Sequence, residues 1–259
     1  MATKKTEIAT VEQSLAVYPV LNPEESMNAM EVIETNLGAN GVQIKNLDKV
    51  TVPPGGGKVF AVNPGDGEIN VPTLTGIIVL APEQNGFWAH SMEDEPNSAP
   101  VCFSNDGQVG VGRPGGNCLV CPNKEWGSDA KGKGKACRDL RPIFLLQPGD
   151  YLPIIVQTSR MSLKKLSAYF TLLARRGIPY YAAITEIGLA QAQNAGTPIY
   201  SVLTFAVKEV VPKEQRTALK SYQAALRCSL SAAPAPAVPA SLPVEDEFDP
   251  FENDDPDSP

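Results

Sequence analysis

The 259 residues contain one histidine, His90, two tryptophans, and no apolar run near the roughly 18 residues that a membrane span needs. Each shortage excludes something. With a single imidazole there is little general-base chemistry, and H-E-x-x-H and G-x-S-x-G are both absent. The one glycine-rich candidate for a phosphate loop, "PPGGGK" at 53–58, lacks the spacing and the Ser/Thr of a Walker loop and reads as a turn. The start, "MATKKTEIATVEQSL", has lysines but no apolar stretch after them, so no signal peptide is predicted. The expectation is a cytoplasmic, non-membrane, non-enzymatic protein in a reducing compartment, where clustered cysteines point to metal more than to disulfide.

At 42% hydrophobic and 20% charged, the chain can build one or two globular domains with a real core. Its net charge of −7 is unevenly spread. The last 16 residues, "VEDEFDPFENDDPDSP", hold eight acids and no base, and removing those eight leaves residues 1–243 at +1. A near-neutral body therefore carries an acidic tail at 244–259, which composition predicts to be disordered. The "SAAPAPAVPASLP" stretch before it, over 231–243, is a proline–alanine linker.

Residues 1–46 form an N-terminal segment with one expected helix, in "NPEESMNAMEVIETNLGANG", capped by Asn22 and stopped by Gly38. A main domain is expected over 47–230. "KVTV", "KVFAV" and "GIIVLA" read as strands, 82–142 as mostly loop, and "PIFLLQPGDYLPIIVQT" as strand again. "SLKKLSAYFTLLARRG" is the clearest helix, with Ser162 as its cap and Gly177 as its stop. "IPYYAAITEIGL" and "PIYSVLTFAVKEVV" pair as a hairpin, and a last helix spans about Pro212 to Leu230. This order predicts an α+β, mainly β fold: an OB-fold-like five-stranded barrel with flanking helices and an inserted loop at 102–141.

That loop holds four of the five cysteines, as Cys102-x15-Cys118-x2-Cys121-x15-Cys137. The two-residue spacer lets Cys118 and Cys121 reach one ion, and the outer pair completes a tetrahedron. A structural Zn2+ fits such a set. Four unconnected buried thiols, or a redox pair at Cys118 and Cys121, would also account for the cysteines, and His90 could stand in for Cys102. Cys228, on the last helix, reads as a core thiol.

Beside the cysteines, "KGKGKACRDLR" places Lys131, Lys133, Lys135, Arg138 and Arg141 against one acid, Asp139. Held in place, these cations make a phosphate-binding surface, which Lys164 and Lys165 extend. Trp88, Trp126 and Tyr151 are candidate platforms on which bases stack. A solvated loop that uses lysine only for solubility is the competing reading.

Two resemblances sharpen this. The linker and the acidic tail with Phe248, Asp249, Pro250 and Phe251 resemble the C-terminal tip of bacterial single-stranded DNA-binding proteins, which docks replication and repair partners. Here eight residues follow Phe251. The order "CFSNDG", "PGGNCLVCPNKEWGS", "GKGKAC" and "RPIFLLQPGDYLP" resembles a family of phage and mobile-element single-stranded DNA-binding proteins, over roughly 47–211 and most densely from 102 to 163. The resemblance implies sequence-nonspecific single-stranded DNA binding in replication or recombination inside a bacterial host cell. It also implies zinc on Cys102, Cys118, Cys121 and Cys137. The layout is similar to that of the helix-destabilising proteins of T-even phages, although those use a histidine ligand. The alternative class is a zinc-ribbon-like adaptor that binds RNA polymerase or a replication protein.

Overall fold

A computed structural model describes residues 15, 17–22, 31–38, 42–63, 67–89, 98–193 and 198–231. The linker, the acidic tail with Phe248–Phe251, His90, and most of the expected N-terminal helix lie outside these residues. Residues 31–37 of that helix are helical.

The fold is mixed α+β and rich in strand. Its main sheet has six strands: β1 (Lys49–Val50), β4 (Thr73–Leu80), β10 (Ile143–Leu146), β11 (Ile154–Val156), β12 (Ala183–Ala192) and β13 (Tyr200–Val210), in the order β1-β11-β10-β4-β12-β13. All pairings are antiparallel except β1 with β11. Strands β12-β4-β10-β11 have the spatial order of a Greek key. No closed barrel forms among the described residues; β1 and β13 are the sheet's two edges. The expected barrel thus appears as an open sheet, because the short β1 occupies the outer edge of β11. A two-stranded ribbon, β2 (Phe60–Val62) with β3 (Ile69–Val71), lies between β1 and β4 in sequence.

The central strands read as unbroken apolar runs because both faces of the sheet are covered. On one face Ile77, Val79, Phe144 and Leu146 pack with Tyr18, Leu47 and the C-terminal helix α2 (Arg216–Ser231), through Leu219 and Leu226. On the other, Leu74, Ile78, Ile143 and Leu145 meet Leu166, Tyr169 and Leu173 of helix α1 (Arg160–Arg175). Each such fully buried side chain contributes about 1.5–3 kcal/mol.

Gly177, at φ +65°, ends α1 as expected. Its N–H donates to Ala174 O, and the N–H of Ile178 to Leu173 O, both at 3.0 Å. The start of α1 differs from expectation. The N-cap is Ser159, and Ser162 lies inside the helix, fully buried, where its Oγ accepts the N–H of Leu203 on β13 at 3.0 Å. The hydroxyl is taken by a tertiary partner. Cys228 is exposed on α2, away from the Leu219 and Leu226 face, so it is not the core thiol that its helix suggested.

Candidate functional site

Residues 82–142, read as loop, contain a second sheet inserted between β4 and β10. Its strands are β5 (Gln84–Phe87), β6 (Cys102–Ser104), β7 (Val109–Gly112), β8 (Gly116–Asn117) and β9 (Cys137–Leu140), in the order β8-β7-β6-β5-β9. Two to four residues each, with little apolar alternation, they gave no periodic signal. Neighbouring residues on a strand face opposite sides, so the insert has two chemically distinct faces.

One face carries the thiols. Phe87 pairs with Cys102 on β6 and with Cys137 on β9, which puts both outer cysteines on its side of the sheet. Cys118 and Cys121 are the first residue and the C-cap of a one-turn 3-10 helix (Cys118–Val120), at whose start Asn117 Oδ1 accepts the Leu119 N–H at 2.9 Å. All four line one cavity of about 10 Å3, room for about one water-sized sphere. Gly110 stands against them: a Cβ there would lie 2.9 Å from Cys102 Sγ and 3.6 Å from Cys118 Sγ. Burial, then the charges of Cys121, Cys102 and Cys118, pushes the Cys137 thiol up to about 11. As placed, no three histidine, cysteine or carboxylate side chains among the described residues stand in metal-holding geometry. The donor set itself, four soft sulfurs around one small cavity, fits Zn2+.

The opposite face carries a row in register: Val111, Phe103, Gly86 and Arg138, across four strands. At about 4.8 Å between strands the row spans about 14 Å. The Trp88 indole lies over Gly86, where a Cβ would come within 2.6 Å of the ring, so glycine is required. Trp88 Nε1 donates to Ser98 O at 2.9 Å, and the Arg138 guanidinium sits 5.2 Å from the ring centroid. Phe103, Val109 and Val111 line a cleft of about 570 Å3 against Phe144, Tyr180 and Arg227 of the main body. Phe144 is buried in the core. Phe103 escaped the sequence reading because a lone aromatic beside a cysteine carries no periodicity, and only strand register places it in the row.

The lysine loop leads into the start of β9. Asp129 shapes it by accepting the Lys133 N–H at 2.7 Å. A Cβ on Gly134 would stand 2.9 Å from Asp129 Oδ2 and 3.4 Å from Arg160 Nη2, so the loop abuts the first turn of α1. Lys131, Lys133, Lys164 and Lys165 are exposed, with no ion pair among the described residues. The other predicted cations are engaged. Lys135 bonds Asp139 at 2.7 Å, while Arg141 pairs with Glu83 at 3.3 Å and lies 4.9 Å from the Phe170 ring, which stacks on Tyr180 at 5.2 Å. Trp126 is 72% exposed in the insert. Tyr151 stands apart, in the turn between β10 and β11 at the far end of β10 from Arg141, and its carbonyl accepts the Tyr222 hydroxyl at 2.7 Å.

No protein family model, curated protein or solved structure matches this chain. No helix among the described residues is long and apolar enough to cross a membrane.

Proposed function

We propose that the protein binds single-stranded DNA without catalysis. The observation that carries the reading is a cleft with Phe103 on one side and Tyr180 on the other, on the sheet face that also carries Trp88 and Arg138, in a chain whose Lys131, Lys133, Lys164 and Lys165 are exposed with no ion pair among the described residues. Lys131, Lys133, Lys164 and Lys165 take phosphates, and the rings take bases. Glu83 and Asp106 also line the cleft. The N–H groups of Val109 and Gln108 hold the Asp106 carboxyl below its usual range.

The strand order supports an OB-like reading of the main body. β4 lies between β10 and β12, α1 connects β11 to β12, and β12 forms a hairpin with β13. In that comparison the insert is the loop after the first barrel strand, one of the loops with which OB-folds hold oligonucleotides. Cys102, Cys118, Cys121 and Cys137 would hold a structural zinc ion, which when bound supplies rigidity to a sheet with little core of its own. Phe248–Phe251 and the surrounding acids would recruit replication or recombination proteins.

The test compares an ordinary oligonucleotide with one of equal length that lacks bases. We expect the base-bearing strand to bind at least about fivefold tighter. Equal affinity would remove the cleft from the reading. One observation favours the adaptor alternative: Leu119 and Val120 are each 75% exposed at the tip of the cysteine turn, close in sequence to Trp126. Protein capture through these side chains, with no affinity for either oligonucleotide, would establish that class instead.

A further inference from the structure

The thiol face also carries a hydrogen-bonded chain of four polar side chains. Lys124 Nζ donates to Asn85 Oδ1 at 3.0 Å, and Asn85 Nδ2 donates to Asp139 Oδ1 at 3.0 Å. Lys135 Nζ donates to Asp139 Oδ2 at 2.7 Å. Asn85 is only 4% exposed. Its amide has one workable orientation, oxygen toward the ammonium and nitrogen toward the carboxylate. Lys124 follows Cys121 by three residues, at the end of a 3-10 turn (Pro122–Lys124) whose Lys124 N–H donates to Cys121 O at 3.0 Å. Both Lys124 and Asn85 line the cavity that the four thiols line.

The charges explain why a lysine is brought there. Four thiolates around a divalent cation carry a net charge of −2, and a poorly solvated charge of that size is costly unless compensated. The chain of Lys124, Asn85, Asp139 and Lys135 carries +1. Asp139 already has Lys135, so it does not need Lys124 as a partner. Asn85, by contrast, turns its acceptor toward Lys124 and so fixes the ammonium at the cavity wall.

We propose that Lys124, aimed by Asn85 and Asp139, is the charge-compensating positioning residue of the thiolate centre; this rests on the zinc reading above. It lowers the electron density on the sulfurs and holds the metal against loss. The function places no substrate or nucleic acid on Lys124, and the cysteine spacing alone does not reveal it.

The experiment uses the full chain, loaded with zinc for competition against a chromogenic chelator and with cobalt for spectroscopy, as wild type and as Lys124→Gln, Lys124→Met and Lys124→Arg. In Lys124→Gln and Lys124→Met we expect apparent zinc affinity to fall at least about tenfold. The thiolate-to-cobalt charge-transfer band should move to longer wavelength in both, and Lys124→Arg should restore both properties. A fall in affinity with the band unmoved would make Lys124 a packing residue and overturn the proposal. Unchanged affinity and an unchanged band, in a wild type that takes one equivalent of metal, would overturn it and leave the zinc reading standing. A wild type that takes neither metal would remove both.

Discussion

Replacing Lys131 and Lys133 together by glutamine tests how the lysine loop works. Both side chains are exposed and unpaired among the described residues, and the loop's shape comes from the Asp129 carboxylate and the Lys133 backbone, which glutamine keeps. The fold should therefore survive. On a single strand each phosphate contact contributes about 0.7 to the slope of log affinity against log salt. Losing two contacts should flatten that slope by about 1.4. Between about 50 and 200 mM salt, the variant should then lose about sevenfold less affinity than wild type. The assay is fluorescence anisotropy with a labelled oligonucleotide over that salt range. Lys135→Gln is the comparison: its ammonium is already bonded to Asp139 at 2.7 Å, so its slope should change less. An unchanged slope in the double variant would refute the phosphate-binding role of the loop, and an equal change in Lys135→Gln would refute the division of labour drawn from the ion pairs.

Phe103→Leu keeps apolar volume but loses the ring; it should weaken single-strand binding roughly fivefold or more with the salt slope intact, and an unchanged affinity would remove Phe103 from the platform. Ser162→Ala leaves the Leu203 N–H without its side-chain acceptor and should cost about 1–3 kcal/mol in denaturant unfolding. Deleting residues 244–259 removes eight acids and should tighten DNA binding, most at low salt; equal affinity would exclude competition by the tail. Tyr18 is raised to about 12, by burial and then by Glu209, and burial raises Tyr222 as well. A folded-state pKa above the unfolded one favours the protonated fold, so the contribution of these tyrosines to stability should be constant below about pH 10 and fall as pH rises toward 12; Tyr222→Phe should flatten that fall in a pH series of unfolding midpoints.

The parts of the fold legible in the sequence were those set by local chemistry. Helix α1 showed through its 3.6-residue apolar stripe and the glycine at 177, and the β12–β13 hairpin through two long β-rich runs. The cap was misplaced by three residues because Ser159 and Ser162 are equally good caps in sequence, and only the contact with Leu203 decides between them. The inserted sheet was hidden because its strands pair across as many as 56 residues and carry glycine where others carry apolar side chains. The cysteine spacing pointed to one centre, and the structure gathers all four thiols around one cavity. Lys124, Asn85 and Phe103 were illegible, since their roles come from register and not from spacing. The cations were legible as a group but not as individuals: Arg138 lies over Trp88 and Arg141 over Phe170, while Lys131 and Lys133 stay open to solvent.

The central claim is tested most directly by titrating the purified full chain with one labelled oligonucleotide, single-stranded and then as duplex, at two salt concentrations. The account predicts binding to the single strand, weaker binding to the duplex, and a loss of affinity at the higher salt. No binding to either form, with or without residues 244–259, or a preference for duplex, would contradict it.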